Sequence, residues 1–252
     1  MSYQSASIRA LPPPSRGGGG LLVPFLLSLA IVIACMANAA ADPPVTETPS
    51  GPIFDFKPHP PGTYTLYKIK AASDGRVVDT AGKPRALSDF FGHGKVTLQS
   101  FIYSSCADPN GCPYAYTVFH YLKNKLQSEH PDVADKVRLV SLSFDPVRDT
   151  PEMLRLYAGE NVKARDGVEW RFLTTSSLAD LVPILDAYGQ DVYIDLDPKT
   201  QQPLSTMSHV LKVFLIDRHG ITREIYTASY LQPEAVYNDI LTLLLEDGVI
   251  QQ

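Results

Sequence analysis

Cysteine is scarce in this chain: there are three in 252 residues, Cys35, Cys106 and Cys112. So few sulfurs exclude a disulfide-stapled scaffold, in which cross-links stand in for a missing core. Positive charge is scarce as well. Arg9 and Arg16 are the only charged residues of the first 41; subtracting them from the 22 Lys and Arg leaves 20 against 27 Asp and Glu, a net of −7. That balance argues against nucleic acid or an anionic lipid surface as a partner. Beyond residue 41 there is no internal repeat, which excludes a solenoid. No glycine-rich phosphate loop occurs there either, and with it goes the main sequence sign of a nucleotide site.

What the chain does have begins with a targeting pattern. Arg9 and Arg16 precede a glycine run (Gly17 to Gly20), an apolar stretch from Leu21 to Met36, and a small-residue end, Ala37-Asn38-Ala39-Ala40-Ala41. A basic start, an apolar middle and an A-x-A site are the parts of a secretory signal peptide, with cleavage expected after Ala39 or Ala41. Uncleaved, residues 21–41 are long enough for a membrane anchor. Val32-Ile33-Ala34-Cys35 also resembles a permissive lipoprotein box, although the plainer reading of Cys35 is a small apolar residue in a signal core. Each route exports the domain to the periplasm or an equivalent extracytoplasmic space.

Residues 1–41 are therefore expected to be signal peptide or anchor, 42–62 a proline-rich linker or arm, and 63–252 the working domain. The 211 residues from Asp42 onward suffice for one domain with a large core. A domain of that size needs no disulfide for stability, so Cys106 and Cys112 read as chemical rather than architectural.

Along the domain, Tyr64 to Lys70 alternates and is expected to return through the Ser73-to-Arg76 turn into Val77-Val78 as an N-terminal β-hairpin. Leu87 to Phe91 predicts a short helical turn, and Val96 to Tyr103 and Val137 to Phe144 predict buried strands. Between those strands, Ala115, Val118, Phe119, Leu122 and Leu126 recur at helical spacing behind Pro113. Thr150-Pro151-Glu152 marks a capped helix start. Ser176 to Tyr188 and Pro233 to Leu245 predict further helices, and Val210–Ile216 with Ile221–Tyr226 a hairpin. Alternating strands and helices predict an α/β class. The order hairpin, β, α, β, α, α, β, β, α is that of a thioredoxin-like fold: a central mixed sheet with helices on both faces and an N-terminal hairpin extension.

Cys106 and Cys112 fall between a strand and a helix, where such a fold carries reactive sulfurs. A helix N-terminus favours negative charge, so a thiolate there has a lowered pKa. Five residues separate the two, and Asp108-Pro109-Asn110-Gly111 is a strong turn signal that folds the loop back. A Cys106–Cys112 disulfide is the plain structural alternative. So short a loop would contribute only roughly 2 kcal/mol.

His209, just before the penultimate strand, is expected to face the cysteine loop across the end of the sheet. Two thiolates and an imidazole form a soft, low-coordinate donor set suited to Cu(I); zinc usually takes a fourth ligand. Asp145, Arg148 and Asp149 read as helix capping and a local ion pair rather than as parts of the site. Met207 carries a thioether, but its default reading is a packed side chain.

At this point the chain resembles the Sco/SenC family of exported copper-binding proteins that assemble cytochrome oxidase. Five ordered segments carry the resemblance: Phe101-Ile-Tyr-Ser-Ser-Cys106; Cys112-Pro113; Phe144-Asp145-Pro-Val-Arg148-Asp149-Thr150; Trp170-Arg-Phe-Leu173-Thr174; and the stretch from Ser208-His209 to Gly220. It spans about Tyr64 to Leu245. The resemblance implies a thioredoxin-like fold with Cys106, Cys112 and His209 as copper ligands. It implies delivery of copper to, or maintenance of thiols at, the binuclear copper centre of a respiratory oxidase.

Two features depart from the family pattern: it has three residues between its cysteines where this chain has five, and it has an aspartate where Ser208 precedes the histidine. A thiol–disulfide oxidoreductase acting on exported proteins, with Cys106 and Cys112 as its catalytic pair, is the alternative reading of the same residues.

Overall fold

The computed structural model describes residues 51–163 and 167–251. The targeting pattern of residues 1–41, with Cys35, and the first part of the proline-rich stretch lie outside the described residues. From Gly51 the chain runs as an arm to Lys70–Ala71 (β1), then Arg76–Asp79 (β2) and Pro84–Ala86 (β3). A single 3-10 turn at Leu87–Phe90 precedes Val96–Ile102 (β4) and the helix Cys112–Glu129 (α1). Val137–Ser143 (β5), Pro151–Ala158 (α2), Glu169–Thr174 (β6) and Leu178–Tyr188 (α3) follow. The chain then forms Val192–Leu196 (β7), Pro203–His209 (β8), Lys212–Ile216 (β9), Ile221–Thr227 (β10) and Pro233–Glu246 (α4).

Among the described residues, eight strands make one sheet in the order β1-β10-β9-β4-β5-β6-β2-β3, and β7 with β8 makes a separate hairpin. The centre is parallel: β4 runs alongside β5 and β5 alongside β6, while the flanking strands are antiparallel. Every residue of β4 and of β5 is buried, the mark of strands covered on both faces.

Register shows what covers each face. Leu98, Leu139 and Trp170 lie side by side across β4, β5 and β6, and Phe119 of α1 meets Trp170 at 5.8 Å between ring centroids. Phe101 points the other way, and Tyr188 of α3 and Phe214 of β9 meet it at 5.4 and 6.0 Å. Each fully buried side chain of this kind contributes roughly 1.5–3 kcal/mol. The apolar stripe of α1 expected from its spacing (Ala115, Val118, Phe119, Leu122, Leu126) is buried throughout. The fold is therefore thioredoxin-like, as expected.

The helix ends follow their residues. Thr150 accepts a hydrogen bond from the Met153 N–H at the start of α2, and Ser177 accepts one from Asp180 at the start of α3. Gly189 closes α3 in the left-handed region at φ 60°.

Three expectations needed correction. The N-terminal hairpin exists, but it pairs β2 with β3 across the Thr80-to-Lys83 turn. The stretch 64–70 does not join it. Lys70 and Ala71 instead pair with Thr222 and Ile221 at the opposite sheet edge. Val77 is 1% exposed and gains its cover beside β6, whereas Tyr67 is 80% exposed and offers a hairpin partner little to bury. Secondly, β6 was absent from the expected order, although Glu169-Trp170-Arg171-Phe172 alternates as a strand should. Thirdly, β7 and β8 were not expected: most of their residues are exposed, so no apolar run announces them. Among the described residues no helix is long and apolar enough to cross a membrane.

Candidate metal centre

The C-terminal ends of β4 and β5 carry the cysteine loop. After Ile102 the chain turns, with Cys106 N–H donating to the Tyr103 carbonyl at 3.1 Å. The Asp108-to-Gly111 turn then forms as the sequence predicts: Asn110 N–H donates to Asp108 Oδ1 at 3.0 Å and Gly111 N–H to the Asp108 carbonyl at 3.0 Å. Cys112 is the first residue of α1, one position earlier than Pro113 suggested. The loop is tied to β5 through Asp149, a residue 1% exposed. Its carboxylate accepts from Ser104 N–H at 2.9 Å, from Ser143 Oγ at 2.5 Å, and from Ser104 Oγ. Asp149 thus holds the loop, while Thr150 does the capping. Arg148 pairs with Asp145 and also donates to the Ser205 carbonyl at 2.7 Å, fastening β8 to the loop that follows β5.

His209 is the last residue of β8. Its Nε2 lies 3.7 Å from Cys112 Sγ, and its ring sits against Phe144 and Tyr103 at centroid separations of 4.8 and 6.2 Å. Its Nδ1 is buried with no hydrogen-bond partner. The structure thus brings together side chains that are 97 residues apart. Cys106 and Cys112 are both free thiols, the first half-buried and the second buried. Among the described residues, no group of three or more His, Cys, Asp or Glu side chains is placed to hold a metal ion as it stands.

Electrostatics divides the two sulfurs. A hydrogen bond from the Cys112 thiol, then the backbone N–H groups of Cys112 and Asp108 and the Tyr103 hydroxyl, pull the Cys106 thiol down to about 5. The same bond, in which Cys112 is the donor, holds the Cys112 proton on, and burial raises its pKa further. Burial and the bond to Cys106 push Tyr103 up to about 12. Burial lowers His209 below the ordinary imidazole value, so at neutral pH the ring is uncharged and offers a lone pair. A thiolate, a second thiol and a neutral imidazole match a soft, low-coordinate cation in donor chemistry.

A cavity of about 520 Å³ opens over these groups, lined by Cys106, Asp108, Asp195, Met207 and His209 among others. Asp195 is the residue that sequence reasoning missed. Ser208 donates to its carboxylate at 2.6 Å, and the Ser208 and Thr206 hydroxyls lower its pKa. A carboxylate therefore reaches the cavity from β7, the strand paired with β8. Only the alternation of Val192 to Leu196 could have revealed it.

A family model described as SCO1/SenC matches residues 68–245. The SCO1 protein homolog of Bacillus subtilis (strain 168) is 33% identical over 88 residues, which are 35% of this chain and 42% of that protein. The match thus spans less than half the length of that relative. Among solved structures, a SCO1/SenC family lipoprotein from Bacillus anthracis str. Ames superposes with a TM-score of 0.53 at 25% identity, over 69% of this chain and 95% of that one. ScoI of Bradyrhizobium japonicum, solved with copper bound, gives 0.51 at 26% identity, over 69% and 99%.

Proposed function

The chain belongs to the SCO1/SenC family, and on that footing we propose that it is an exported carrier of Cu(I). In this reading it delivers the ion to a copper centre of a respiratory oxidase or maintains the thiols there. The observation that carries the reading is the approach of His209 Nε2 to Cys112 Sγ at 3.7 Å, beside a Cys106 thiol poised as thiolate. Copper is cargo here. Cys106 contributes a thiolate that exists before binding, His209 a neutral imidazole, and Cys112 a thiol that gives up its proton on ligation. Release to the acceptor proceeds by exchange of these donors for the acceptor's own, with no change of oxidation state. Residues 1–41 serve as signal peptide or anchor, with 42–62 as tether, and the domain works outside the cytoplasm. The likeness to a family lipoprotein supports that placement.

Anaerobic titration of the reduced protein tests the assignment. One equivalent of Cu(I) should bind, and Cys106→Ser, Cys112→Ser and His209→Ala should each lose it. Tight binding that persists in all three variants would end the proposal.

The split in thiol acidity favours a second reading, a thiol–disulfide oxidoreductase. The Cys106 thiolate would attack a client disulfide and expel one client thiolate. Cys112, once deprotonated, would displace the other, leaving a Cys106–Cys112 disulfide and a reduced client. Only the copper reading requires His209. Disulfide-reductase turnover left intact by His209→Ala, together with absent copper binding, selects the enzyme.

A further inference from the structure

One sulfur in the cavity has no part in the scheme above. Met207 stands two residues before His209 on β8. Alternate residues of a strand share a face and lie about 7 Å apart, so Met207 projects to the side on which His209 meets Cys112. It is half-buried, packs against the margin of the core, and lines the same cavity as Cys106 and His209. Its carbonyl accepts from the Tyr103 hydroxyl at 3.5 Å, which ties this point of β8 to the root of the cysteine loop. A half-buried packing role needs only an apolar side chain and makes no use of the sulfur. A thioether is instead a soft, uncharged donor that needs no deprotonation.

We propose that Met207 is an exit ligand for Cu(I), a third sulfur that takes the ion as it leaves His209 for the acceptor. The inference rests on the copper reading of the site. In the step, a Met207 Sδ–Cu(I) bond forms as the His209 Nε2–Cu(I) bond breaks. Both donors are neutral, so no proton moves and copper stays monovalent. Cys106 and Cys112 hold the ion throughout, until the acceptor's ligands replace them.

Two measurements on the full chain test it. Met153 and Met207 are the methionines of the described domain, and Met153 lies on α2, 45% exposed, so it serves as an internal control. With ¹³C-labelled methionine methyl groups, Cu(I)-loaded protein in exchange with bathocuproine disulfonate should shift and broaden the Met207 resonance, as the exit state is sampled, and leave that of Met153 in place. Met207→Leu conserves volume and should still bind one Cu(I). It should pass the ion to an excess of bathocuproine disulfonate about tenfold more slowly, an added barrier of about 1.4 kcal/mol.

An unmoved Met207 methyl together with wild-type transfer in Met207→Leu overturns the exit ligand and leaves the carrier standing. Failure of the wild-type protein to take up Cu(I) overturns both.

Discussion

Cys106 and Cys112 share one loop and differ in what surrounds each sulfur. Position at a strand-to-helix junction predicts a lowered pKa, and Cys106 has one, but the first cause is the thiol of its neighbour rather than the helix end. Cys112 sits on the helix itself and moves the opposite way, because it donates that bond and is buried. A depressed thiol is already thiolate above its folded value, so alkylation of Cys106 by iodoacetamide should climb through about pH 5 and be flat by pH 7. An ordinary thiol is still climbing at pH 8. Cys112→Ala removes the largest cause and should return the midpoint toward the ordinary thiol range. A wild-type profile that keeps rising past pH 8 would contradict this account.

At the scale of elements, the candidate site is an assembly of three pieces: the turn after β4, the first turn of α1, and the end of β8. Asp149 fastens the first to β5. Asp149→Ala leaves the Ser104 N–H and two hydroxyls without their acceptor in a buried place, at about 3 kcal/mol. Urea unfolding should show that loss, and hydrogen exchange should quicken at Ser104 to Cys106. Equal exchange in both proteins would remove Asp149 from the role of anchor.

The same elements show what could be read in advance. The strands β4 and β5 and the helix α1 were legible because their apolar residues recur with the period of the element. Cys106 and Cys112 declared themselves by the Asp108-to-Gly111 turn, and His209 by its place before a strand. The pairing of β1 was not legible because its partner β10 is distant in sequence, and β7 with the carboxylate of Asp195 was not because its residues are mostly exposed and no apolar run marks it. Asp149 looked like a helix cap because it directly precedes Thr150. Only the fold reveals that Ser104 and Ser143 claim its carboxylate.

At the scale of the whole domain, the candidate site and the Arg223 network occupy opposite ends of the sheet. Arg223 of β10 is 5% exposed. It donates to the Leu66 carbonyl at 3.0 Å, to Asp217 at 3.1 Å and to Glu246 at 2.8 Å, so one guanidinium joins the arm, the β9–β10 turn and the end of α4. Its neighbour Thr222 pairs with Ile216, which pairs with Thr97 near the start of β4. The cysteine loop leaves the other end of that strand, after Ile102, about 17 Å away. Asp217, 1% exposed, also accepts the N–H groups of His219 and Ile221 at 2.9 Å. Losing Arg223 therefore strands a buried carboxylate. Breaking such a pair costs about 3–5 kcal/mol, which for a domain near 200 residues lowers Tm by about 10 °C. Arg223→Met should show that drop in calorimetry while binding Cu(I) at wild-type stoichiometry well below its new Tm. If stoichiometry falls together with Tm, the two ends of the sheet are coupled. The cysteine loop would then depend on strand order at the far edge rather than on Asp149 alone.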